Sequence, residues 1–365
     1  MEVFFKKMWL IRNHLSKKSE GLKLDIGQLS ERFRTFAKRE CEGSSELYEY
    51  LSYEIAKDDE MLELSSYARE GQPIPNLLFG AVHYLLLKGN NHVLKEYYSS
   101  IVEHPKEIQE SYIHFGNFCQ IYRSEIISIL KIKLVQTNET RRCAYLYPVF
   151  SHIYSQTNKP LALIEIGTSA GFQLLWDKYR YSYNSDEIFG DLHSEVLIEA
   201  EIRGDRSPKP LLESPPVTHR FGLDLHINDV TNVEDSLWLN ALIWPEHKER
   251  RKLFEQAVVC INENKEELNF IEGNGVELFP QIADQIPSEA IICVFHTHVA
   301  NQLTEDMKCE LQNNIRELGK KRDVFHIYNN IWDSELHLDS IINGLEYNEI
   351  IGETDGHGRW FTWRL

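Results

Sequence analysis

Residues 161–171 read Leu-Ala-Leu-Ile-Glu-Ile-Gly-Thr-Ser-Ala-Gly, and this stretch decides the fold class. The run 161–166 is apolar except for Glu165, which predicts a buried strand, and the glycines at positions 167 and 171 predict a tight turn after it. Apolar side chains then return with the spacing of one helix face, at Phe172, Leu175, Trp176 and Tyr179. A strand, a glycine turn and a helix in this order are typical of parallel α/β sheets.

The chain before this turn differs from the chain after it. Residues 1–158 repeat apolar residues at steps of three and four, which predicts an all-helical N-terminal domain. Residues 159–365 alternate strand and helix patterns, which predicts a Rossmann-like α/β domain with a doubly wound, mainly parallel sheet. The last two strand patterns, 346–354 and 359–365, flank a glycine-rich turn, and we expect them to form an antiparallel hairpin.

The composition bounds the classes of function. Of the 365 residues, 39 are Lys or Arg and 56 are Asp or Glu, which gives a formal net charge of −17. An acidic surface disfavours nucleic acid and anionic membranes, because both bind cationic side chains. No apolar run reaches the roughly 18 residues of a membrane span. We therefore expect a small-molecule substrate, with neither a nucleic-acid nor a membrane partner.

The start of the chain and the cysteines indicate a cytoplasmic protein. The first residues interrupt their apolar side chains with charge and lack a small-residue cleavage site, unlike a secretory signal peptide. The six cysteines lie far apart without a Cys-x-x-Cys pair, so we expect reduced thiols. His296 and His298 have the spacing of a metal-binding pair, but no further ligands accompany them, and we predict no metal site.

Several chemistries use a glycine turn at this place, because ligands bind outside the carboxyl ends of parallel strands. Dinucleotide folds and P-loops need other glycine spacings and are excluded. Glu165, Gly167, Ser169 and Gly171 resemble the loop of class I methyltransferases, in which an acidic residue ends the strand and small residues follow at steps of two. In those enzymes the loop backbone lies against the methionine part of S-adenosylmethionine.

This resemblance implies the cofactor-binding residues. The loop itself comprises Gly167, Thr168, Ser169, Ala170 and Gly171. Glu165 is expected at the amino-acid end of S-adenosylmethionine, and Asp224, which closes the next strand pattern, at the ribose hydroxyls. Asn274 is expected near the adenine, and its alternative role is a glycine-rich turn at a strand end.

The same turn also matches Gly-x-Ser-x-Gly, the nucleophile elbow of α/β-hydrolases. In this alternative Ser169 is the nucleophile and Asp224 the acid, and the candidate bases are His296, His298 and His357. Two features count against it: the elbow would follow the first strand instead of several strands, and no oxyanion segment lies upstream. In a third alternative the turn serves packing alone, in a protein that binds a nucleotide-like ligand or a protein without turnover.

Candidate substrate residues come from a polar string at 136–142, which precedes an apolar helix. The members that carry amide, carboxylate or guanidinium groups are Gln136, Asn138, Glu139 and Arg142. We expect them to act as a lid over the carboxyl edge of the sheet, facing a polar or anionic substrate. The alternative is an N-capped helix start.

Three further residues are candidates for contact with the acceptor. Asn76 lies on one helix face with His83 and is expected to join the lid, whereas His83 itself fits a core histidine better. Arg180 ends the helix after the glycine turn, where it either contacts substrate or balances the helix C-terminus. His296 ends a strand and is the expected general base. The predicted activity is methyl transfer from S-adenosylmethionine.

Six segments carry a family resemblance that spans nearly the whole chain, and they read GQPIPNLLFGAVHYLLL, QTNETRRCAYLYPVF, LALIEIGTSAGFQLLWDKYRYSY, RFGLDLHINDV, WLNALIWPEHKER and VFHTHV. In this order they closely resemble an uncharacterised bacterial family, domain of unknown function 2332. The resemblance implies a class I methyltransferase-type fold behind a helical N-terminal region. It implies no reaction, because the family carries no established activity. Many relatives have His-Ser where this chain has His296-Thr297-His298, so no role is implied for His298.

Overall fold

The computed structural model of the protein describes residues 25–136 and 138–365. The expectation about the start of the chain concerns residues before Asp25 and lies outside these ranges. Within them, no helix combines the length and the apolar composition needed to cross a membrane. Cys309 is exposed and the other cysteines are buried, each with a free thiol.

The chain divides into two compact units that are not two consecutive stretches. The first contains residues up to Gln136 together with Leu237–Lys248, and the second contains Thr137–Ser236 and Glu249–Leu365. The predicted ranges 1–158 and 159–365 differ from these units. The difference arises because the helix Cys143–Thr157 belongs to the second unit.

The first unit is helical, as predicted. Its main helices are α1 (Ile26–Phe36), α2 (Glu46–Ile55), α3 (Asp59–Ser65), α4 (Ile74–Leu87), α5 (Ser111–Ile121) and α6 (Arg123–Ile132). A π-helical segment, Ala37–Cys41, continues α1, and 3-10 turns span Val93–Tyr97 and Ile108–Glu110. The side chains of Ser45 and Asp58 accept hydrogen bonds from backbone N–H groups and start α2 and α3.

Helix α4 lies in the core of the first unit. Its residues are apolar on nearly every face, and almost all of them are buried. His83 on this helix is fully buried, with its ring nitrogens 2.9 Å from the Ala241 carbonyl and 2.8 Å from the Ser100 hydroxyl. His83 is therefore a hydrogen-bonded core histidine.

The second unit contains the strands and the remaining helices. The strands are β1 (Leu161–Ile166), β2 (Arg180–Tyr183), β3 (Ile188–Gly190), β4 (Leu197–Arg203), β5 (Val217–Asp224), β6 (Asn269–Glu272), β7 (Ile291–His296), β8 (Val324–Tyr328), β9 (Leu336–Ile342), β10 (Leu345–Gly352) and β11 (Trp360–Thr362). The helices are α7 (Cys143–Thr157), α10 (Gly275–Ala283) and α11 (Glu305–Gly319), while α8 (Val233–Ala241) and α9 (Lys248–Asn264) each include residues of both units. Short 3-10 helices span Thr140–Arg142, Phe172–Lys178, Lys265–Glu267 and Val299–Gln302.

Seven strands form the main sheet, in the order β10-β9-β8-β7-β1-β5-β6. The five strands from β8 to β6 are parallel, and β9 and β10 are antiparallel to their neighbours. When the five parallel strands are numbered in chain order, their positions in the sheet from β6 to β8 read third, second, first, fourth and fifth. This is the doubly wound pattern, and the direction of the strand order reverses between β1 and β7. The predicted α/β fold with a mainly parallel sheet is confirmed.

One face of the main sheet packs against α10 and α11. Ile164 and Ile166 of β1 and Val294 of β7 belong to this apolar core, together with Phe279 and Leu311 of the two helices. Because successive side chains on a strand point to opposite faces, Glu165 lies on the other face. The glycine turn therefore begins with a carboxylate that points away from this apolar core.

The predicted terminal hairpin forms next to its turn, but its two strands, β10 and β11, belong to different sheets. In the main sheet β10 forms an antiparallel hairpin with β9, whereas β11 pairs in parallel with β4 in a second, four-stranded sheet ordered β11-β4-β2-β3. The two predicted segments are linked in an antiparallel sense by the bridge Thr354 to Phe361 and by three backbone hydrogen bonds, from Asp355 to Trp360, from Thr362 to Glu353 and from Arg364 to Ile351. Burial explains the outcome, because Phe361 is fully buried and packs edge-on against Tyr183 of β2.

The segment after the glycine turn is also different from the prediction. It is the 3-10 helix Phe172–Lys178, and Leu175 within it has non-helical backbone angles. The Tyr179 hydroxyl donates to the Phe172 carbonyl at 2.8 Å, so that carbonyl is engaged by a side chain. Arg180 consequently begins β2 and does not end a helix.

Candidate functional site

Three residues of the glycine turn have left-handed backbone angles, and two of them pack closely against neighbouring side chains. The φ angles of Gly167, Ser169 and Gly171 are +77°, +50° and +79°. A Cβ on Gly167 would lie 2.5 Å from the Val299 side chain, and one on Gly171 would lie 2.6 Å from the Phe270 ring. Only glycine satisfies both the backbone angle and the close approach at these two positions.

Asp224 holds the turn from the neighbouring strand. It ends β5, which pairs with β1, and its Oδ2 accepts a hydrogen bond from the Ser169 N–H at 2.8 Å. Its Oδ1 accepts from the His226 N–H at 3.1 Å. Partial burial raises the pKa of Asp224, although these two N–H groups oppose the shift. A carboxylate oxygen accepts two hydrogen bonds, so Asp224 keeps acceptor capacity for a ligand hydroxyl.

Two asparagines cover Ser169. The side-chain amides of Asn138 and Asn228 each donate to the Ser169 Oγ at 2.8 Å, and the Asn138 Oδ1 accepts from the Ala170 N–H at 3.0 Å. Within the described part of the second unit, no histidine is hydrogen-bonded to this hydroxyl. A serine nucleophile needs an adjacent base, so this geometry disfavours the hydrolase alternative.

Glu139 lies at the centre of a buried ionic cluster. Its Oε2 is 2.8 Å from the Arg250 Nε and 3.2 Å from the His357 Nδ1, and its Oε1 accepts from the Arg141 N–H at 3.2 Å. Burial alone raises the pKa of this carboxyl, but Arg250, His357 and Arg142 outweigh burial and lower it to about 2. Glu139 is therefore ionised and fixes the loop that carries His357.

The ionic cluster gives a prediction about acid stability. In the unfolded chain the carboxyl of Glu139 titrates near 4.5, and in the folded protein near about 2. Its stabilisation is therefore complete above the unfolded pKa and is lost as pH falls through the folded pKa. We expect Glu139→Gln to lower the free energy of unfolding by about 3 kcal/mol at neutral pH, because one pKa unit corresponds to about 1.4 kcal/mol.

Urea denaturation of both proteins against pH measures this effect. The difference in the free energy of unfolding between wild type and Glu139→Gln should fall to roughly half near pH 3 and become small near about pH 2. Glu187→Gln removes an exposed carboxyl of the same unit and serves as the control. A gap that stays constant from neutral pH down to about pH 2 would contradict the ionic role of Glu139.

Arg142 links three segments at this edge of the sheet. Its Nε donates to the Gly356 carbonyl at 3.0 Å, and its Nη1 donates to the carbonyl and hydroxyl oxygens of Thr297 at 3.4 and 3.3 Å. Thr297 follows β7 directly and also forms a 3.0 Å hydrogen bond with the side chain of Gln173. Arg142 therefore stands beside β7, on one side of the point where the strand order reverses.

Glu165 lies at the end of β1 on the other side of that point. It is only 2% exposed, and its Oε2 accepts from the Thr168 hydroxyl at 2.6 Å. Burial raises the pKa of Glu165 to about 8, against the opposing hydrogen bond from Thr168. At neutral pH this carboxyl is therefore mainly protonated.

A family model described as "Uncharacterized protein conserved in bacteria (DUF2332)" matches residues 30–363. The chain belongs to this family. No curated protein and no solved structure matches the chain. The description of the DUF2332 family names no activity.

The structure does not bring His296 to the polar edge in this DUF2332 protein. His296 is fully buried, and it lies on the sheet face that carries Val294. Its Nε2 is 3.2 Å from the Nε2 of His326, and burial lowers its pKa to about 3. His298 also has a pKa lowered by burial, to about 4, and its ring contacts the Asn330 amide.

Four other predicted residues make none of the hydrogen bonds described for the glycine turn. Asn274 caps α10 by accepting from the Val276 N–H at 3.1 Å, which matches its alternative role in a turn at a strand end. Arg180 lies in β2 of the second sheet. Asn76 and Gln136 belong to the first unit of this DUF2332 protein, where the Asn76 Oδ1 accepts from the Trp244 indole at 3.3 Å.

The geometry adds residues that the sequence does not indicate. Asn228, Arg250, Thr297 and Gly356 contact predicted site residues, and Gln173 is hydrogen-bonded to Thr297. Asn228 lies in a segment of the DUF2332 resemblance, as do Arg250, Gln173 and Thr297, and that membership was the available signal. Gly356 accepts the hydrogen bond from Arg142 through its backbone carbonyl oxygen, and its residue type therefore does not indicate the contact in the sequence.

Proposed function

We propose that this protein is a methyltransferase that uses S-adenosylmethionine and acts on a small-molecule acceptor. The supporting observation is the pair of carboxyl groups, Glu165 and Asp224, which end the adjacent parallel strands β1 and β5 on either side of the glycine turn. Ligands of doubly wound sheets bind at the point where the strand order reverses, and β1 borders that point. Bound S-adenosylmethionine would supply an electrophilic methyl group there.

The residues fit this cofactor in two respects. Asp224 retains acceptor capacity for the two ribose hydroxyls while the Ser169 and His226 N–H groups hold its carboxylate in place. The two glycines let the turn pack closely against Val299 and Phe270, which fixes its backbone beside Asp224. The protein's contribution to the reaction is to align the acceptor with the methyl group and to exclude water. Protonated Glu165 gives the edge a group that can release or receive a proton.

The turn contacts a cofactor through its shape and not through free donors. All five N–H groups from Gly167 to Gly171 are already engaged, with the Leu223 carbonyl, Asp224, Asn138 and the Thr168 carbonyl as acceptors. A charged group on the cofactor therefore needs a partner from elsewhere in the unit.

Calorimetric titration of the purified protein with S-adenosylmethionine and S-adenosylhomocysteine tests the proposal. We expect binding of both, and we expect Asp224→Asn to weaken it by roughly tenfold to a hundredfold, because a hydrogen bond to a charged group contributes about 1.5–3 kcal/mol. Asp205→Asn changes an exposed carboxyl of the same unit and is the matched control. Gly171→Leu is unsuitable, since its side chain would strike Phe270.

Two outcomes would contradict the proposal. One is the absence of binding heat and of any thermal shift from a folded sample. The other is an unchanged dissociation constant in Asp224→Asn. If binding behaves as expected, transfer of a labelled methyl group to small acceptors in an extract identifies the reaction.

A further inference from the structure

Arg142 is a buried cation without a carboxylate partner. It is 7% exposed, and burial lowers its pKa. Its Nε and Nη1 donate to the Gly356 carbonyl and to Thr297, which are neutral groups. In the described part of its unit, no carboxylate is ion-paired with Arg142 and no acceptor is bound to its Nη2. Buried charges are normally paired, so the Nη2 of Arg142 is a donor suited to an anionic group of a ligand.

The contrast with Arg220 shows that the fold can pair a buried arginine. Arg220 is 3% exposed, and its guanidinium is 2.6 Å from Asp177 and 2.9 Å from Glu267. Arg220 lies away from the carboxyl edge, inside β5. Of these two buried arginines, Arg142 is the one that lies beside the candidate site and forms no ion pair with a carboxylate.

Tyr145 provides a second, independent observation. It lies three residues after Arg142 at the start of α7, and Arg142 and Thr297 are close enough to influence its pKa. Its hydroxyl is completely buried and makes no hydrogen bond of normal geometry within the described residues, although the Thr297 side chain is close to it. A buried hydroxyl without a partner costs free energy, so it is expected to meet an acceptor when the site is filled.

We propose that Arg142 and Tyr145 form a subsite that binds a carboxylate group of a ligand at the β7 end of the carboxyl edge. The Nη2 of Arg142 and the hydroxyl of Tyr145 supply two donors, and a planar carboxylate supplies acceptors for both. Thr297, which is hydrogen-bonded to Gln173, orients the guanidinium.

The carboxylate has two chemical sources. One is the methionine part of S-adenosylmethionine, which needs a donor because the N–H groups of the glycine turn are engaged; this source rests on the proposed function. The other is a carboxylate on the acceptor, which places the acceptor among small organic acids. The subsite itself depends on neither choice.

Binding of three probes separates these sources. S-adenosylmethionine carries the carboxylate, 5′-methylthioadenosine lacks the amino-acid part, and malonate is a small dicarboxylate, titrated at constant ionic strength. Each is measured by calorimetry on wild type, Arg142→Lys and Tyr145→Phe. Tyr98→Phe is the matched control, because Tyr98 also has a buried hydroxyl that makes no hydrogen bond of normal geometry but belongs to the first unit.

If the cofactor supplies the carboxylate, both subsite variants should bind S-adenosylmethionine about tenfold or more weakly and bind 5′-methylthioadenosine unchanged. If the acceptor supplies it, the variants should keep cofactor binding and lose malonate binding. Malonate binding that needs Arg142 in a protein that binds no S-adenosylmethionine would support the subsite and overturn the proposed function. Unchanged affinity for S-adenosylmethionine and malonate in both variants would overturn the subsite.

Folding is checked by thermal unfolding of each variant without ligand. Tyr145→Phe removes a hydroxyl that makes no hydrogen bond of normal geometry, so its unfolding temperature should equal or exceed that of wild type. This variant keeps the test decisive even if Arg142→Lys folds poorly. A clear loss of stability in Tyr145→Phe would show that the hydroxyl has a structural partner, which contradicts its assignment to a ligand.

Discussion

Replacing Glu165 with glutamine is expected to stabilise the protein in alkaline solution. The folded protein keeps the proton of this buried carboxyl up to about pH 8, whereas the unfolded chain releases it near the ordinary pKa of 4.5. Between these values the folded state binds more protons than the unfolded state, so the free energy of unfolding falls as pH rises. Glutamine has no proton to lose and still accepts the hydrogen bond from Thr168.

The measurement is the free energy of unfolding of both proteins at several pH values. The free energy of unfolding of Glu165→Gln, measured relative to wild type, should increase by about 4 kcal/mol as the pH rises from about 5 to about 9. Glu187→Gln, an exposed carboxyl in the same unit, should show no comparable trend. A difference between Glu165→Gln and wild type that does not change with pH would mean that Glu165 is ionised throughout.

Replacing Arg220 with methionine is expected to lower the free energy of unfolding by about 3–5 kcal/mol, because breaking a buried pair leaves an uncompensated charge. Arg220 donates to the Leu174 carbonyl at 3.1 Å and is ion-paired with Asp177 at 2.6 Å. Burial raises the pKa of Asp177, and Arg220 opposes that shift. Without the guanidinium, this carboxyl is left in an apolar setting beside the 3-10 segment after the glycine turn.

A double-variant cycle tests this explanation. Arg220→Met with Asp177→Leu removes both charges and should recover most of the loss, to within about 1–2 kcal/mol of wild type. Arg203→Met removes an exposed arginine, paired with Glu201 on β4, and should cost no more than about 1 kcal/mol. If the double variant is as unstable as the single one, packing of the arginine stem is the cause instead of the unpaired charge.

The sequence predicts the main sheet well because its strands are locally encoded. β1, β7 and β8 are short apolar runs, and the glycines at 167 and 171 allow the turn that follows β1. β9 was not predicted, since His337 and Asp339 interrupt its apolar residues. The pairing of β11 depends on β4, which is distant in the chain, and no local pattern encodes such a partner.

Three residues of the predicted polar string lie near one another in the structure, and their role in binding substrate stays a prediction. Asn138 contacts the glycine turn and Glu139 and Arg142 lie in the polar edge, which agrees with a string placed over that edge. The position of His296 was harder to predict, because strand residues alternate between two faces and the sequence does not say which face is apolar. The partner atoms on Thr297 and Gly356 depend on tertiary structure alone.

The loop that holds Glu139 and Arg142 comes late in the chain. Gly356 and His357 contact these two residues and lie beyond the last strand of the main sheet, and β11 secures their loop against β4. During synthesis the strands of the main sheet can therefore pair before the polar edge has its full set of contacts. A chain that stops after Gly352 would retain all seven strands and yet lack this loop, so correct folding of the sheet and competence of the site are separate events.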